Sequence, residues 1–233
     1  MFPYRDVNPS SRTPIVTITL IAINGIVFLF EFGLGPSLEN FLLTFGVVPK
    51  KWALLGQVEE LTLQPILFSY LASLFLHGGW FHVISNMWYL WIFGDNVEDI
   101  LGSFKFLAFY LVCGVAAGVI HTFFNLNSTL PAVGASGAIA GVLGAYLIRF
   151  PNARIHTLVP FFLSYEIIEL PAVIVLGSWF LMQFLSGTAA IAATAQNTGG
   201  VAWWAHIGGF LAGIVLLPFF NPKRKTENRF PSF

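Results

Sequence analysis

Gly134-Ala135-Ser136-Gly137-Ala138-Ile139-Ala140-Gly141-Val142-Leu143-Gly144-Ala145-Tyr146 is a run of small and apolar residues with a single serine near its start. The run 134–150 carries no charge before Arg149 and reads as a membrane-spanning helix. A span needs roughly 20 apolar residues, within a range of about 17–25. Working outward, five more such runs lie at 14–34, 80–98, 103–124, 171–187 and 201–220. Composition agrees. Of 233 residues, 56% are hydrophobic and 9% charged, with a mean hydropathy of +0.77, where soluble domains carry about 25% charged residues. A secreted scaffold, a disordered tail and a nucleic-acid binder are excluded, since the last would need a basic face. Net charge is zero, and the lone Cys113 can form no internal disulfide. The expected fold is an all-α membrane protein, a bundle of six transmembrane helices.

Orientation follows from lysine and arginine in the short loops. The first run follows Arg5 and Arg12 but leads into Phe30-Glu31-Phe32 rather than a small-residue cleavage site, so it is a retained span and not a removed signal. With the N-terminus cytoplasmic, Arg5, Arg12, Lys105, Arg149, Arg154, Lys223, Arg224, Lys225 and Arg229 fall inside, and only Lys50 and Lys51 outside. Both termini are then cytoplasmic. The expected organisation is an N-terminal segment 1–13, a six-span domain 14–220 and a basic tail 221–233. The outer connection 35–79 is too apolar for a free loop and too interrupted for a span. It is expected to be partly membrane-embedded, as a helical hairpin whose backbone is satisfied internally. The outer loop 188–200 is small, polar and uncharged, with Gly199-Gly200 at its end.

Strongly polar side chains inside spans are costly and mark function by default. The second span carries His77, His82 and Asn86, the fourth opens on Gly134-Ala135-Ser136-Gly137, and the sixth contains Ala205-His206-Ile207-Gly208-Gly209 and then Gly213. His82 and Asn86 are spaced i,i+4 and share a helix face. His206 shares a face with Gly209 and Gly213. Small residues on the fourth and sixth spans let backbones approach closely, which would bring Ser136 against His206. At 1.5 Å per residue, Ser136 lies roughly 20 Å above Arg149, His206 about 22 Å above Asn221, and Asn86 about 18 Å above Glu98. The three polar groups therefore occupy one slab, below the outer surface, and need a cavity opening outward. The fourth span begins within the bilayer, so its free N–H groups form an anion site beside Ser136. Serine beside histidine, with donors near the serine, is the layout of acyl transfer through a covalent intermediate. His82, Asn86 and the Ser136 N–H are the candidate oxyanion donors. No carboxylate is expected at this depth, since Asp95, Glu98 and Asp99 lie at the inner end of the second span. A dyad rather than a triad follows, with packing holding the histidine tautomer.

At these residues the chain resembles the rhomboid family of intramembrane serine proteases, over about residues 14–220. Gly134-Ala135-Ser136-Gly137 is similar to the family's GxSG, whose serine is the nucleophile. Ala205-His206 with Gly209 and Gly213 is similar to its AHxxGxxxG, whose histidine is the general base. His77, His82 and Asn86 match the pattern of the second span. The resemblance implies that His82 and Asn86 line the oxyanion site, and that 35–79 is the embedded first loop and 188–200 the capping loop. It further implies transmembrane protein substrates entering laterally near the second and fifth spans, with small residues at the cleaved bond. The chain looks like the minimal six-span prokaryotic type, which implies a prokaryotic plasma membrane with the site opening outward. Two features depart from the pattern. Ala140 stands where some members have an aromatic supporting the histidine, and Phe68-Ser69 lacks the Trp-Arg pair of the first loop.

Each motif alone has a bland reading, with Ser136 or His206 only packing or bonding between helices. Their shared depth with Asn86 favours chemistry. A zinc protease would require HExxH, and neither His77 nor His82 has a neighbouring Glu. An aspartyl protease would require two buried aspartates, and a transporter broken helices in matched halves. The expected function is thus intramembrane serine endopeptidase, with no cofactor and no metal. The partners are membrane-protein substrates and the lipid bilayer, with no nucleic acid and no oligomeric state specified. The rival is a catalytically silent relative that binds membrane proteins and controls their fate.

Overall fold

A computed structural model describes residues 2–161, 164–192 and 202–222. In chain order it comprises β1 (Phe2–Asp6), α1 (Ile15–Gly33), α2 (Leu38–Phe45), α3 (Lys50–Leu54), α4 (Leu63–Ala72), α5 (Trp80–Leu101), α6 (Ser103–Phe124), α7 (Ser136–Arg149), β2 (Arg154–Phe161), β3 (Ser164–Pro171), α8 (Ala172–Ala192) and α9 (Trp203–Leu216). Short 3-10 turns follow α1, α4 and α9. The helices α1, α5, α6, α7, α8 and α9 overlap the six apolar runs of the sequence.

The bundle is built around α7, in which every residue from Gly137 to Tyr146 is buried. Leu90 and Phe93 of α5, Phe106 and Tyr110 of α6, and Phe210 of α9 pack with it in one core. Outer helices instead present apolar side chains outward, such as Ile26 and Leu29 of α1 and Met182 and Leu185 of α8. That inversion of a soluble surface is what a lipid solvent demands. Among the described residues, four helices, with α9 extended to Phe220, are long and apolar enough to cross a membrane alone, and α5 joins them only when paired with α4, from which it is bent by 78°. At about 21 Å, the 14 residues of α7 fall short of a hydrocarbon core of about 30 Å. By itself α7 therefore does not cross such a core.

Where α1 begins, its free N–H groups need acceptors. Glu98, near the far end of α5, supplies them: Val16 N–H and Thr17 N–H donate to its carboxylate at 3.0 and 2.8 Å, and the Thr17 and Ser103 hydroxyls at 2.9 and 2.6 Å. One carboxylate thus ties α1, α5 and the start of α6 together.

The connection 35–79 folds into short helices, with Leu67, Phe68 and Leu71 of α4 exposed and Ile66 and Tyr70 buried. The Tyr70 and Thr122 hydroxyls are 2.8 Å apart, fixing α4 to α6.

The helical bundle carries an addition that the all-α expectation lacks. β1, β2 and β3 form an antiparallel sheet in that order, pairing Asp6 with Ile155 and Arg154 with Pro171. The N-terminal segment and the connection after α7 therefore lie on the same side of the bundle, as the charge distribution required. Trp88 of α5 donates to the Pro3 carbonyl at 2.9 Å, tying the N-terminal segment to the bundle. In the expected capping loop, residues 188–192 continue α8. Residues 193–200 and the tail from 223 to 233 lie outside the described residues.

Candidate active site

Ser136 is the first residue of α7, and His206 lies in the first turn of α9. The two helices meet backbone to backbone. A side chain at Gly209 would run into the Gly137 carbonyl, and one at Gly213 into the Gly141 carbonyl. Only glycine permits this approach, and one turn before Gly209 it delivers the imidazole to the serine. His206 Nε2 lies 2.9 Å from Ser136 Oγ.

The second ring nitrogen is also engaged. His206 Nδ1 lies 2.8 Å from Gln183 Oε1 of α8. Trp179, one turn earlier on α8, faces the imidazole with ring centroids 5.9 Å apart and planes inclined by 33°. Trp203 meets it edge-on at 6.4 Å. The aromatic support absent at Ala140 is thus supplied from another helix.

Gly134 has φ +125°, a left-handed backbone that suits glycine. Its N–H donates to the Ser73 carbonyl at 2.9 Å, holding the chain as it enters α7. A β-carbon here would sit 2.7 Å from His82 Nε2 and 3.5 Å from Asn86 Nδ2. The polar ends of both α5 side chains therefore converge beside the backbone two residues before Ser136. Neither is hydrogen-bonded to Ser136 or His206, and Asn86 Nδ2 is buried with no partner among the described residues.

His77 belongs to the connection before α5 rather than to the span itself. It is fully buried, its ring 5.1 Å from that of His82. Its backbone N–H donates to both carboxylate oxygens of Glu31, at 3.2 and 3.1 Å. Glu31 is 1% exposed and corrects the expectation of no carboxylate near this depth, which had overlooked α1. Flanked by Phe30 and Phe32, an ionisable residue within an apolar run was the available signal. Gln183 was missed in the same way, as the one amide in the run 171–187. No group of His, Cys, Asp and Glu among the described residues is arranged to hold a metal ion.

Comparison with known proteins bears on this arrangement directly. Residues 65–223, more than half of the chain, match the Rhomboid domain. The chain belongs to the rhomboid family. Among its relatives, the bovine presenilin-associated rhomboid-like protein, mitochondrial, is 32% identical over 212 residues, covering 85% of this chain and 47% of the relative. Rhomboid protein 1, mitochondrial, of Saccharomyces cerevisiae is 30% identical over 175 residues, 72% of this chain and 46% of the relative. Rhomboid-like protein 11, chloroplastic, of Arabidopsis thaliana is 29% identical over 159 residues, 66% of this chain and 52% of the relative. The chain spans about half the length of these curated relatives. Their names are organellar, which overturns the expected prokaryotic plasma membrane and, with it, the cytoplasmic assignment of the termini. Loop charges distinguish two sides of a bilayer but say nothing about which membrane it is, so composition could not have exposed the error.

Proposed function

We propose that this rhomboid-family protein is a serine endopeptidase that cleaves membrane-protein substrates in or near their transmembrane segments, in an organellar membrane. The observation that carries the reading is the 2.9 Å approach of Ser136 Oγ to His206 Nε2. A hydroxyl bonded to an imidazole at the start of a helix is an activated nucleophile.

In this reading His206 Nε2 takes the Ser136 proton as Oγ attacks the scissile carbonyl carbon. The resulting oxyanion is met by the Ser136 N–H, Asn86 Nδ2 and His82, each donor contributing roughly 3–4 kcal/mol in soluble analogues. As the tetrahedral adduct collapses, the C–N bond breaks and His206 returns the proton to the leaving amine. Water then attacks the acyl ester, giving a proton to His206, and the new carboxyl end departs as Ser136 is restored. Gly134, Gly137, Gly209 and Gly213 serve by letting the backbones close around the pair, and His77 by packing beside His82.

The test is cleavage of a fluorescent substrate carrying a helix-breaking membrane segment, by purified protein in mild detergent and in lipid. Cleavage by the wild type that is lost in both Ser136→Ala and His206→Ala is the expected result. Cleavage that survives in both variants would assign the chemistry elsewhere. Intact, folded protein that cleaves no substrate and fails to react at Ser136 with a fluorophosphonate would identify a silent binding relative.

A further inference from the structure

A histidine that serves as a base through Nε2 must keep its proton on Nδ1, and a dyad contains nothing that fixes this. Here a third side chain lies at that nitrogen. Gln183 is 6% exposed on α8, with Oε1 2.8 Å from His206 Nδ1. The orientation of its amide follows from its other partner. Gln183 Nε2 lies 3.4 Å from the Trp179 carbonyl, which can only accept. Reversing the amide would set oxygen against oxygen there. Oε1 therefore faces the imidazole as an acceptor, Nδ1–H donates to it, and Nε2 is left with a lone pair aimed at the Ser136 hydroxyl. Trp179, at i,i+4 from Gln183, lies along the same ring, so a single face of α8 holds both the edge and the plane of the imidazole.

We infer that Gln183 is a positioning residue for the Ser136–His206 pair, locking His206 in the tautomer whose Nε2 accepts the serine proton. The inference rests on the proposed protease reading and adds to it a neutral third member, drawn from the fifth span. An amide serves where a carboxylate would carry a heavier desolvation cost inside a bilayer. It orients the ring without adding a charge.

The experiment uses the full chain in detergent, comparing wild type, Gln183→Leu, Gln183→Glu and Ser136→Ala for kcat, KM, thermal midpoint and the pH dependence of kcat. Gln183→Leu preserves bulk and removes the acceptor. Its kcat should fall by about 10- to 100-fold, the range typical when the partner orienting a functional histidine is removed, with KM unchanged. Gln183→Glu restores an acceptor at Nδ1–H. It should recover most of the rate at alkaline pH while moving the acidic limb of kcat to higher pH, because a carboxylate there favours the protonated ring. The other titratable side chains that act electrostatically on His206, His82 from α5 and His121 from α6, are common to all four proteins, so the displacement reports position 183. A wild-type kcat in Gln183→Leu, or equal losses in both variants with an unmoved pH profile, would overturn the inference and leave Gln183 as packing. If Gln183→Leu does not fold, the pH profile of Gln183→Glu decides alone. Cleavage that persists in Ser136→Ala would instead overturn the protease reading itself, and the inference with it.

Discussion

The Asn86 amide is a buried donor without a partner among the described residues. Such a group costs about 1–3 kcal/mol relative to a satisfied one, and it persists where a ligand supplies the missing acceptor. Its Nδ2 and His82 Nε2 both reach the Gly134 backbone just ahead of Ser136, where a tetrahedral oxyanion would develop. In Asn86→Ala, kcat should therefore fall by about 10²–10³, the loss seen when one oxyanion donor is removed. The thermal midpoint should hold, since Nδ2 makes no hydrogen bond among the described residues that the substitution could break. A variant that loses stability but retains kcat would show Asn86 to be structural. His206 makes a second demand at this scale. Its Nε2 can accept the serine proton only while the ring is neutral, so kcat should decline as pH is lowered. A pH titration in which cleavage instead accelerates on acidification would exclude His206 as the base.

The packing of α7 on α9 was legible because glycine at four-residue spacing in both runs, Gly137 and Gly141 in one and Gly209 and Gly213 in the other, has few other uses in a membrane helix. From that packing the meeting of Ser136 and His206 followed. What α8 contributes was not legible. An apolar helix gives little indication of which face it turns inward, and Gln183 at the interior differs from Gln183 elsewhere only by packing. The sheet escaped notice for a related reason. Arg154–Phe161 is short and lies beside a membrane span, and its pairing with Phe2–Asp6 is a contact across some 150 residues of chain. The glycine interface itself can be tested. Gly213→Val would drive a branched side chain into the Gly141 carbonyl, and overpacking of this kind costs typically about 1–3 kcal/mol. Both the thermal midpoint and kcat should drop together, because separating α9 from α7 also withdraws His206 from Ser136. A Gly213→Val protein of unchanged midpoint and full activity would mean that the two helices are not held this closely.

Across the whole molecule, the polar groups sort into two layers with different tasks. One surrounds Ser136. The other lies towards the far end of α7, where Asp6 of β1 accepts from the Tyr146 hydroxyl at 2.8 Å and from Asn96 Nδ2 at 2.9 Å. That carboxylate joins the sheet to α5 and α7 together, while Phe2 and Tyr4 bring their rings against Trp88. Tyr146 comes ten residues after Ser136, a rise of about 15 Å along the helix, so this layer touches nothing that reacts. Asp6→Ala should then be the converse of Ser136→Ala. Hydrogen bonds to charged groups contribute roughly 1.5–3 kcal/mol, so its loss should lower the thermal midpoint while leaving kcat and KM at wild-type values well below that midpoint. Ser136→Ala should abolish turnover and leave the midpoint in place. Measuring melting and cleavage on the same two preparations tests the separation. A fall in kcat for folded Asp6→Ala would show that the sheet end of α7 communicates with the Ser136 end, and that the fold does not divide stability from chemistry by depth.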